Sequence, residues 1–149
     1  MAATLKGPWN EEQIATFLET AIVPMRLAAV GKDGFPRVVS VWFCYLDGEL
    51  LCASHSGSPL VSLLRNNPRA GFEVAPNEPP YHGVRGQGEV VMTPDGAGAT
   101  LGHLIDRYLG NADSGLARWL LSRKDEELLI SLRPERIFSW DYRERMTDN

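Results

Sequence analysis

The sequence predicts a mainly β protein with short helices, an α+β fold in which about six antiparallel strands form a small closed or nearly closed barrel. Two observations lead to this fold class. Runs rich in valine and aromatic residues follow one another with short turn signals between them, which is typical of antiparallel strands. A few separate segments have apolar residues at helical spacing. Closure of the sheet would also remove exposed strand edges.

Length and charge limit the classes of partner. The chain has 149 residues, of which 44% are apolar, and this suits one domain over residues 1–149. The net charge of −4 gives no general attraction to nucleic acid or to an anionic membrane, so we expect neither as a partner. The first residues lack the apolar core of a signal peptide, and the expected compartment is therefore the cytoplasm.

The first helix is predicted to begin after Asn10. Asn10 is a favourable N-cap residue, and Gln13, three positions later, completes the pattern of a capping box. Apolar residues at helical spacing follow, and Pro24 ends the helix. The chain then enters the sheet.

A three-stranded meander is predicted next. Its strands are Met25–Gly31, Arg37–Leu46 and Glu49–Ser54, and they are joined by turns at Lys32–Gly34 and Asp47-Gly48. The second run is rich in valine and aromatic residues, which predicts a strand that is buried on both faces or nearly so.

Two cysteines flank the second turn, and the pattern predicts that they stay reduced. If Asp47-Gly48 forms a two-residue hairpin turn, Leu51 lies opposite Cys44. Cys44 and Cys52 then point to opposite faces of the sheet and cannot form a disulfide bond. We expect both to be small buried apolar residues.

A short helix follows the third strand. Ser58 can cap it, and Pro59 suits the first helical position because no N–H partner is needed there. Three leucines form its apolar face, and Pro68 forces the chain out of the helical conformation.

The remaining chain is predicted to supply the other strands and two further helical segments. Glycines in the strand Val84–Thr93 suggest a bend or a bulge. The last segment, Glu127–Tyr142, reads as a strand pair broken near Arg133-Pro134. The other predicted elements are a strand at Arg69–Ala75 and helices at Gly98–Gly110 and Ser114–Lys124.

Four features in order carry a resemblance to a known family. They are a strand pair running into Arg-Val-Val, a serine-rich loop, a short helix that stops at Asn-Asn-Pro, and two late strands. In the sequence they read RLAAVGKDGFPRVVSVWF, SHSGS, RNNPR, and YHGVRGQGEV with ISLRPERIFSWDY. This set resembles the pyridoxamine 5′-phosphate oxidase-like family, the FMN-binding split β-barrels, over about residues 12–142.

The resemblance implies a six-stranded split β-barrel that forms a homodimer, with two flavin sites at the subunit interface. It implies an FMN-dependent oxidoreductase that acts on a small-molecule substrate. The flavin carries the electron chemistry in such proteins, and no side chain need be an obligatory acid or base.

The resemblance also implies a set of cofactor-binding residues. One strand would lie along the isoalloxazine ring and ribityl chain, through Arg37, Val38, Val39, Ser40 and Trp42. The end of the next strand and the start of the short helix would receive the phosphate, through Ala53, Ser54, Ser58, Pro59 and Leu60. His55 could donate to the phosphate, and Trp140 could approach the flavin or the dimer partner.

The sequence departs from the family at the expected phosphate site. The family usually has a basic residue in the first turn of this helix, where this chain has Pro59 and Leu60. A charge-assisted contact contributes about 1.5–3 kcal/mol, so its loss would weaken FMN binding about tenfold to hundredfold. Arg37, Arg65 or His55 could compensate.

Alternatives stay open for both the residues and the function. Trp42 could be a core or interface aromatic residue, and the serines could serve only the turn. The cofactor could be a deazaflavin instead of FMN. The protein could also be a non-catalytic binder of flavin or haem. No cysteine and histidine spacing predicts a metal site.

Overall fold

A strongly curved, mainly antiparallel sheet forms the framework of the protein. The computed structural model describes residues 2–111 and 113–146. The eight strands are β1 (Thr4–Lys6), β2 (Met25–Val30), β3 (Pro36–Val41), β4 (Cys44–Leu46), β5 (Glu49–His55), β6 (Arg69–Val74), β7 (His82–Thr93) and β8 (Glu127–Asp141). The helices are α1 (Glu11–Thr20), α2 (Pro59–Asn66), α3 (Ala97–Tyr108) and α4 (Gly115–Ser122), and a 3-10 turn spans Lys124–Glu126.

The strand order confirms the predicted fold class. The order is β3-β2-β6-β7-β8-β5-β4, and β1 adds to β8 in parallel. The sheet curls into a half-barrel, which is the α+β split barrel. Strand β8 pairs with β5 through its first half and with β7 along nearly its whole length, so it links the two sides of the barrel. The structure has eight strands where the sequence predicts about six. The additional strands are β1 and β4, which have only three residues each and are too short to show a clear sequence pattern.

Local signals in the sequence fix several of these elements. The Asn10 side chain accepts a hydrogen bond from the Gln13 N–H, and the Gln13 side chain accepts one from the Asn10 N–H, both at 2.9 Å. Asp47 and Gly48 have positive φ angles of 51° and 79°, as a two-residue hairpin turn requires. Cys44 therefore lies opposite Leu51, and both cysteines are free and buried, as predicted.

The prediction of one buried strand over Arg37–Leu46 is wrong. The run divides into β3 and β4, and β3 is largely exposed. Strand β3 lies at the end of the sheet and pairs with β2 alone among the described strands, and none of its six residues is buried. Val38 on this strand is 66% exposed.

The predicted break near Arg133-Pro134 is also wrong, because β8 runs unbroken through it. The register shifts between Gln87 and Gly88, which pair with Arg136 and Pro134, so Glu135 is an extra residue on β8 beside the proline. A Cβ atom on Gly88 would lie 2.0 Å from the Arg133 carbonyl oxygen, so the close approach of the two backbones requires glycine.

Helix α2 packs over the curved sheet between its two sides. Its buried face, formed by Leu60, Val61 and Leu64, lies against β2 and β5. These leucines join the main core cluster that fills the barrel. Pro59 and Ser62, in the first turn of the same helix, are exposed. In the described part of the chain, each helix is too short or too polar to cross a bilayer.

Helix α3 fastens the end of α1 to the barrel. The Arg107 guanidinium donates hydrogen bonds to the carbonyl oxygens of Leu18, Glu19 and Ala21, at 2.7–2.9 Å. The neighbouring Tyr108 hydroxyl donates to the Val23 carbonyl oxygen at 2.8 Å. Arg107 thus supplies donors and positive charge where the last carbonyl groups of α1 need both.

Candidate functional site

The loop between β5 and α2 is held by its own serines. The Ser58 Oγ accepts a hydrogen bond from the Val61 N–H at 3.2 Å and so caps the helix as predicted. The Ser54 Oγ lies 2.7 Å from the Ser58 Oγ, and either hydroxyl can donate. The Ser58 N–H donates to the His55 carbonyl oxygen, which closes the turn. The structure thus brings together the residues predicted to receive a phosphate.

This loop retains few donors for an anion. The two hydroxyls of Ser54 and Ser58 share one hydrogen bond, so one hydroxyl proton is left for a ligand. The Leu60 N–H has no acceptor among the described residues, and Pro59 has no N–H to offer. The helix dipole adds partial positive charge at the same end. A phosphate group fits these donors, but through neutral groups instead of a cation.

Both ring nitrogens of His55 have neighbours within the protein. Its Nδ1 accepts a hydrogen bond from the Gly57 N–H at 2.9 Å, so in the neutral ring the proton lies on Nε2. That Nε2 lies 3.5 Å from a carboxylate oxygen of Glu126, which also pairs with Arg123 at 3.3 Å. His55 therefore contacts Glu126 and does not supply a free donor to the loop.

Acidic residues near the loop were missed by the sequence reasoning. Glu127 lies opposite His55 in the β5–β8 register, and the Glu126 carbonyl oxygen accepts from the Ser56 N–H at 2.8 Å. Burial raises the pKa of Glu127, while the charges of His55 and Arg123 act in the opposite direction. These residues are some seventy positions from the loop in sequence, so no local sequence pattern indicates that they lie beside it.

Arg37 is engaged by a neighbour in the β2–β3 turn. Its guanidinium donates to both carboxylate oxygens of Asp33 at 3.0 Å and to the Phe35 carbonyl oxygen at 3.1 Å. Both side chains of the pair are about half exposed. The structure therefore shows a solvated turn contact for Arg37 and no contact with α2.

We expect the pKa of Asp33 to report this pairing. The hydrogen bond from Arg37, then that from the Phe35 N–H, lowers the pKa of Asp33 from 3.8 to about 2. Because the pKa of Asp33 is lower in the folded state than in the unfolded chain, the ionised carboxylate stabilises the folded state at pH values above about 3.8. This contribution is lost as the pH falls from about 3.8 to about 2. In Arg37→Gln the pKa of Asp33 should rise toward 3.8 in a carboxyl NMR titration. If the pKa of Asp33 is the same in Arg37→Gln as in the wild type, Arg37 does not pair with Asp33 in solution.

The other predicted residues of β3 divide between two faces. Val39 packs against the main core, whereas Val38 and Ser40 face outward. Trp42, just beyond the strand, stacks on Tyr108 with ring centroids 5.2 Å apart and an angle of 5° between the planes. Trp42 thus packs against α3, and a contact with a flavin stays a prediction. Tyr108 was not anticipated as its partner.

Trp140 lies far from the serine loop within one subunit. Leu128 pairs with Ser54, and Trp140 is twelve positions further along β8, an extended length of about 40 Å. Ala53 pairs with Leu129 at the near end of the same strand. The predicted site residues thus lie in three places, which are β3 with the residue just beyond it, the β5–α2 loop, and the far end of β8.

Comparison with known proteins assigns a family over most of the chain. The family model for pyridoxamine 5′-phosphate oxidase matches residues 11–141. A conserved hypothetical protein from Mycobacterium tuberculosis superposes with a TM-score of 0.80 and 22% identity, covering 95% of this chain and 91% of that one. An F420 reductase is similar with a TM-score of 0.71 and 26% identity, covering 87% and 97%.

A third solved structure shares the fold at lower identity. The haem storage protein from Vibrio cholerae has a TM-score of 0.65 and 16% identity, covering 86% of this chain and 92% of its own. Similarity at this level of identity shows the fold alone. No match was found among curated proteins.

Proposed function

Because the chain belongs to the pyridoxamine 5′-phosphate oxidase family, we propose that it is an oxidoreductase that binds a flavin-type cofactor. The observation that carries this proposal is the family match across nearly the whole split barrel, residues 11–141. A bound flavin would supply the electron chemistry by accepting and returning a hydride. The protein's own residues would hold and orient the ring system and exclude water.

FMN is the first candidate cofactor. Its phosphate would lie at the start of α2, where the Leu60 N–H and one hydroxyl of the Ser54–Ser58 pair can donate. The dipole of α2 favours an anion at this end. The absence of a cation from the first helical turn predicts weaker FMN binding than a basic residue there would give.

A homodimer would complete the site. Trp140 is remote from Ser54 within one subunit, so a single flavin can contact both only where two subunits meet. The edge strand β3 and the turn before it offer apolar side chains for such contact, because Val38 on β3 is 66% exposed and Phe35 in the turn is 70% exposed. Light scattering should then give twice the chain mass of 16.5 kDa, and Val38→Asp should shift the mass toward one chain.

A deazaflavin is the second candidate cofactor. The similar F420 reductase, at 26% identity, favours it. The neutral phosphate site also favours it, because the longer anionic tail of a deazaflavin offers other places for charge contacts. A non-catalytic binder of the same fold is the remaining alternative and differs by the absence of turnover.

Titrations of the purified apoprotein test the proposal. FMN and a deazaflavin are titrated separately, and quenching of cofactor fluorescence is followed together with the melting temperature. We expect one of the two to bind in a saturable manner with one molecule per chain, and riboflavin to bind about tenfold more weakly than FMN if FMN is the cofactor. NAD(P)H oxidation by the loaded protein then separates an enzyme from a binder. If neither cofactor is quenched nor raises the melting temperature, the proposal is wrong.

A further inference from the structure

The amides of residues 56–58, in the turn between β5 and α2, all have acceptors within the protein. The Ser56 N–H donates to the Glu126 carbonyl oxygen at 2.8 Å. The Ser58 N–H donates to the His55 carbonyl oxygen at 2.9 Å. The Gly57 N–H donates to Nδ1 of the His55 ring, also at 2.9 Å. Two of these acceptors are carbonyl groups, whereas the third is an imidazole nitrogen that can take up a proton.

The contact between Gly57 and the His55 ring requires a neutral imidazole. In the neutral ring Nδ1 accepts because the proton lies on Nε2, but in the imidazolium both nitrogens carry protons. Glycine lets the ring lie close to the turn, since a Cβ atom at position 57 would be 3.3 Å from Nδ1. Protonation would therefore set the ring N–H against the Gly57 N–H, two donors with no acceptor between them. An oxyanion that accepts from both donors relieves this conflict.

Charged groups face the ring from the elements packed against it. Glu126 in the 3-10 turn lies 3.5 Å from Nε2, and it also pairs with Arg123 at 3.3 Å. Glu127 lies opposite His55 in the β5–β8 register, and burial raises the pKa of this carboxyl group. The first turn of α2 has no charged side chain. Because Glu126 contacts Nε2, the Nδ1 edge of the ring is the one that faces the turn and a ligand bound there.

We propose that protonation of His55 strengthens the binding of a phosphate group at the start of α2. The proton releases the Gly57 amide and places a charged donor beside it, which supplies the cation that the first turn of α2 lacks. Gly57 precedes Ser58, with about 3.8 Å between neighbouring Cα atoms, so one phosphate can contact both residues. Phosphate affinity should thus increase as the pH falls through the range in which histidines change charge, about pH 8 to 5. The inference rests on the proposed function, because it concerns the regulation of the same site.

A titration of the apoprotein with sulfate tests the inference without a cofactor. Sulfate, unlike phosphate, keeps one charge over the pH range in which histidines titrate, and amide NMR follows the signals of Gly57 and Leu60. We expect sulfate to bind about threefold to tenfold more tightly at about pH 6 than at about pH 8. This is less than a full charge-assisted contact gives, because the His55 side chain is 36% exposed and solvent screens its charge.

Two variants separate His55 from other titrating groups. In His55→Asn, the side-chain oxygen can accept from the Gly57 N–H but does not titrate, so its sulfate affinity should be equal at the two pH values. His103→Gln removes an exposed histidine from α3, and this matched control should retain the pH dependence of the wild type. Melting temperatures at about pH 8, where histidines are mostly neutral, show whether each variant is folded.

FMN is then titrated at the same two pH values, with quenching of its fluorescence as the measure of affinity. The phosphate of FMN itself changes charge at about pH 6, so each pH effect is compared with that in His55→Asn. We expect the ratio of the affinity at low pH to that at high pH to be about threefold to tenfold larger in the wild type. Riboflavin, which has no phosphate, should show no such difference.

Three results would overturn the inference. They are equal sulfate affinity of the wild type at both pH values, an unchanged pH dependence in His55→Asn, and a Gly57 amide signal that does not follow the titration of the His55 ring in the free protein. The first and third need no variant. If neither FMN nor a deazaflavin binds, the proposed function is wrong, and the sulfate titration still decides the inference. If FMN binds with the same pH dependence in the wild type and His55→Asn, the inference alone is wrong.

Discussion

Replacing Arg107 with methionine should lower the free energy of unfolding by about 2–4 kcal/mol. The guanidinium donates to the carbonyl oxygens of Leu18, Glu19 and Ala21, and two of these three bonds are partly buried. Hydrogen bonds from a charged donor contribute more than neutral ones, and the carbonyl groups at the end of α1 would lose their partners. Arg107 also lies over the ring of Phe43, with 5.1 Å from the guanidinium carbon to the centroid.

The measurement is the midpoint of urea-induced unfolding of Arg107→Met, with the dependence of the unfolding free energy on urea concentration unchanged. The control is the same measurement on Arg118→Met, which alters α4. Arg118 is exposed, so its replacement should change the free energy of unfolding by less than about 0.5 kcal/mol. Methionine keeps an unbranched apolar stem but lacks the guanidinium, so the effect combines the lost charge, the lost hydrogen bonds and the lost contact with Phe43. Equal midpoints for the two variants would mean that water replaces Arg107 at the end of α1 without loss.

Pro59→Lys should strengthen FMN binding about tenfold to hundredfold. Pro59 is exposed at the first position of α2, so the substitution need not disturb the core. It restores an N–H group and places an ammonium group beside the start of the helix, where charge-assisted contacts contribute about 1.5–3 kcal/mol. The cation lies near the positive end of the helix dipole and should cost about 0.5 kcal/mol of stability in the apoprotein.

Pro59→Gln separates the two contributions. It restores the same N–H group without the charge, so its FMN affinity should lie between those of the wild type and Pro59→Lys. Fluorescence titration of the three proteins with FMN, at low and high salt, supplies the comparison, and the advantage of lysine should shrink at high salt. If Pro59→Lys and Pro59→Gln bind FMN equally, the phosphate is not at the start of α2.

Features determined by residues close in sequence could be predicted. The Asn10–Gln13 capping box, the Asp47-Gly48 turn and the ends of α2 each depend on side chains within four positions of one another. The proximity of Ser54 to Ser58 belongs to the same class, because the turn that joins them is short. For this reason the serine half of the candidate site could be placed from the sequence.

Features determined by distant contacts could not be predicted. Valine and aromatic residues in β3 suggested burial, but the position of a strand in the sheet decides its exposure, and β3 lies at the end. The contact of Arg107 with the end of α1 joins residues 86–89 positions apart. The separation of Trp140 from Ser54 likewise follows from β8 being one long strand. Pro134 in the sequence suggested a break at that point.

The most direct test of the account is a two-dimensional amide NMR titration of the protein with FMN. The account predicts that the Leu60 amide, which lacks a protein acceptor, shifts most among the amides of the β5–α2 loop and saturates together with the flavin fluorescence. Riboflavin, which has no phosphate, should leave that amide nearly unmoved. FMN binding that shifts amides elsewhere but leaves those of residues 54–61 in place would contradict the account.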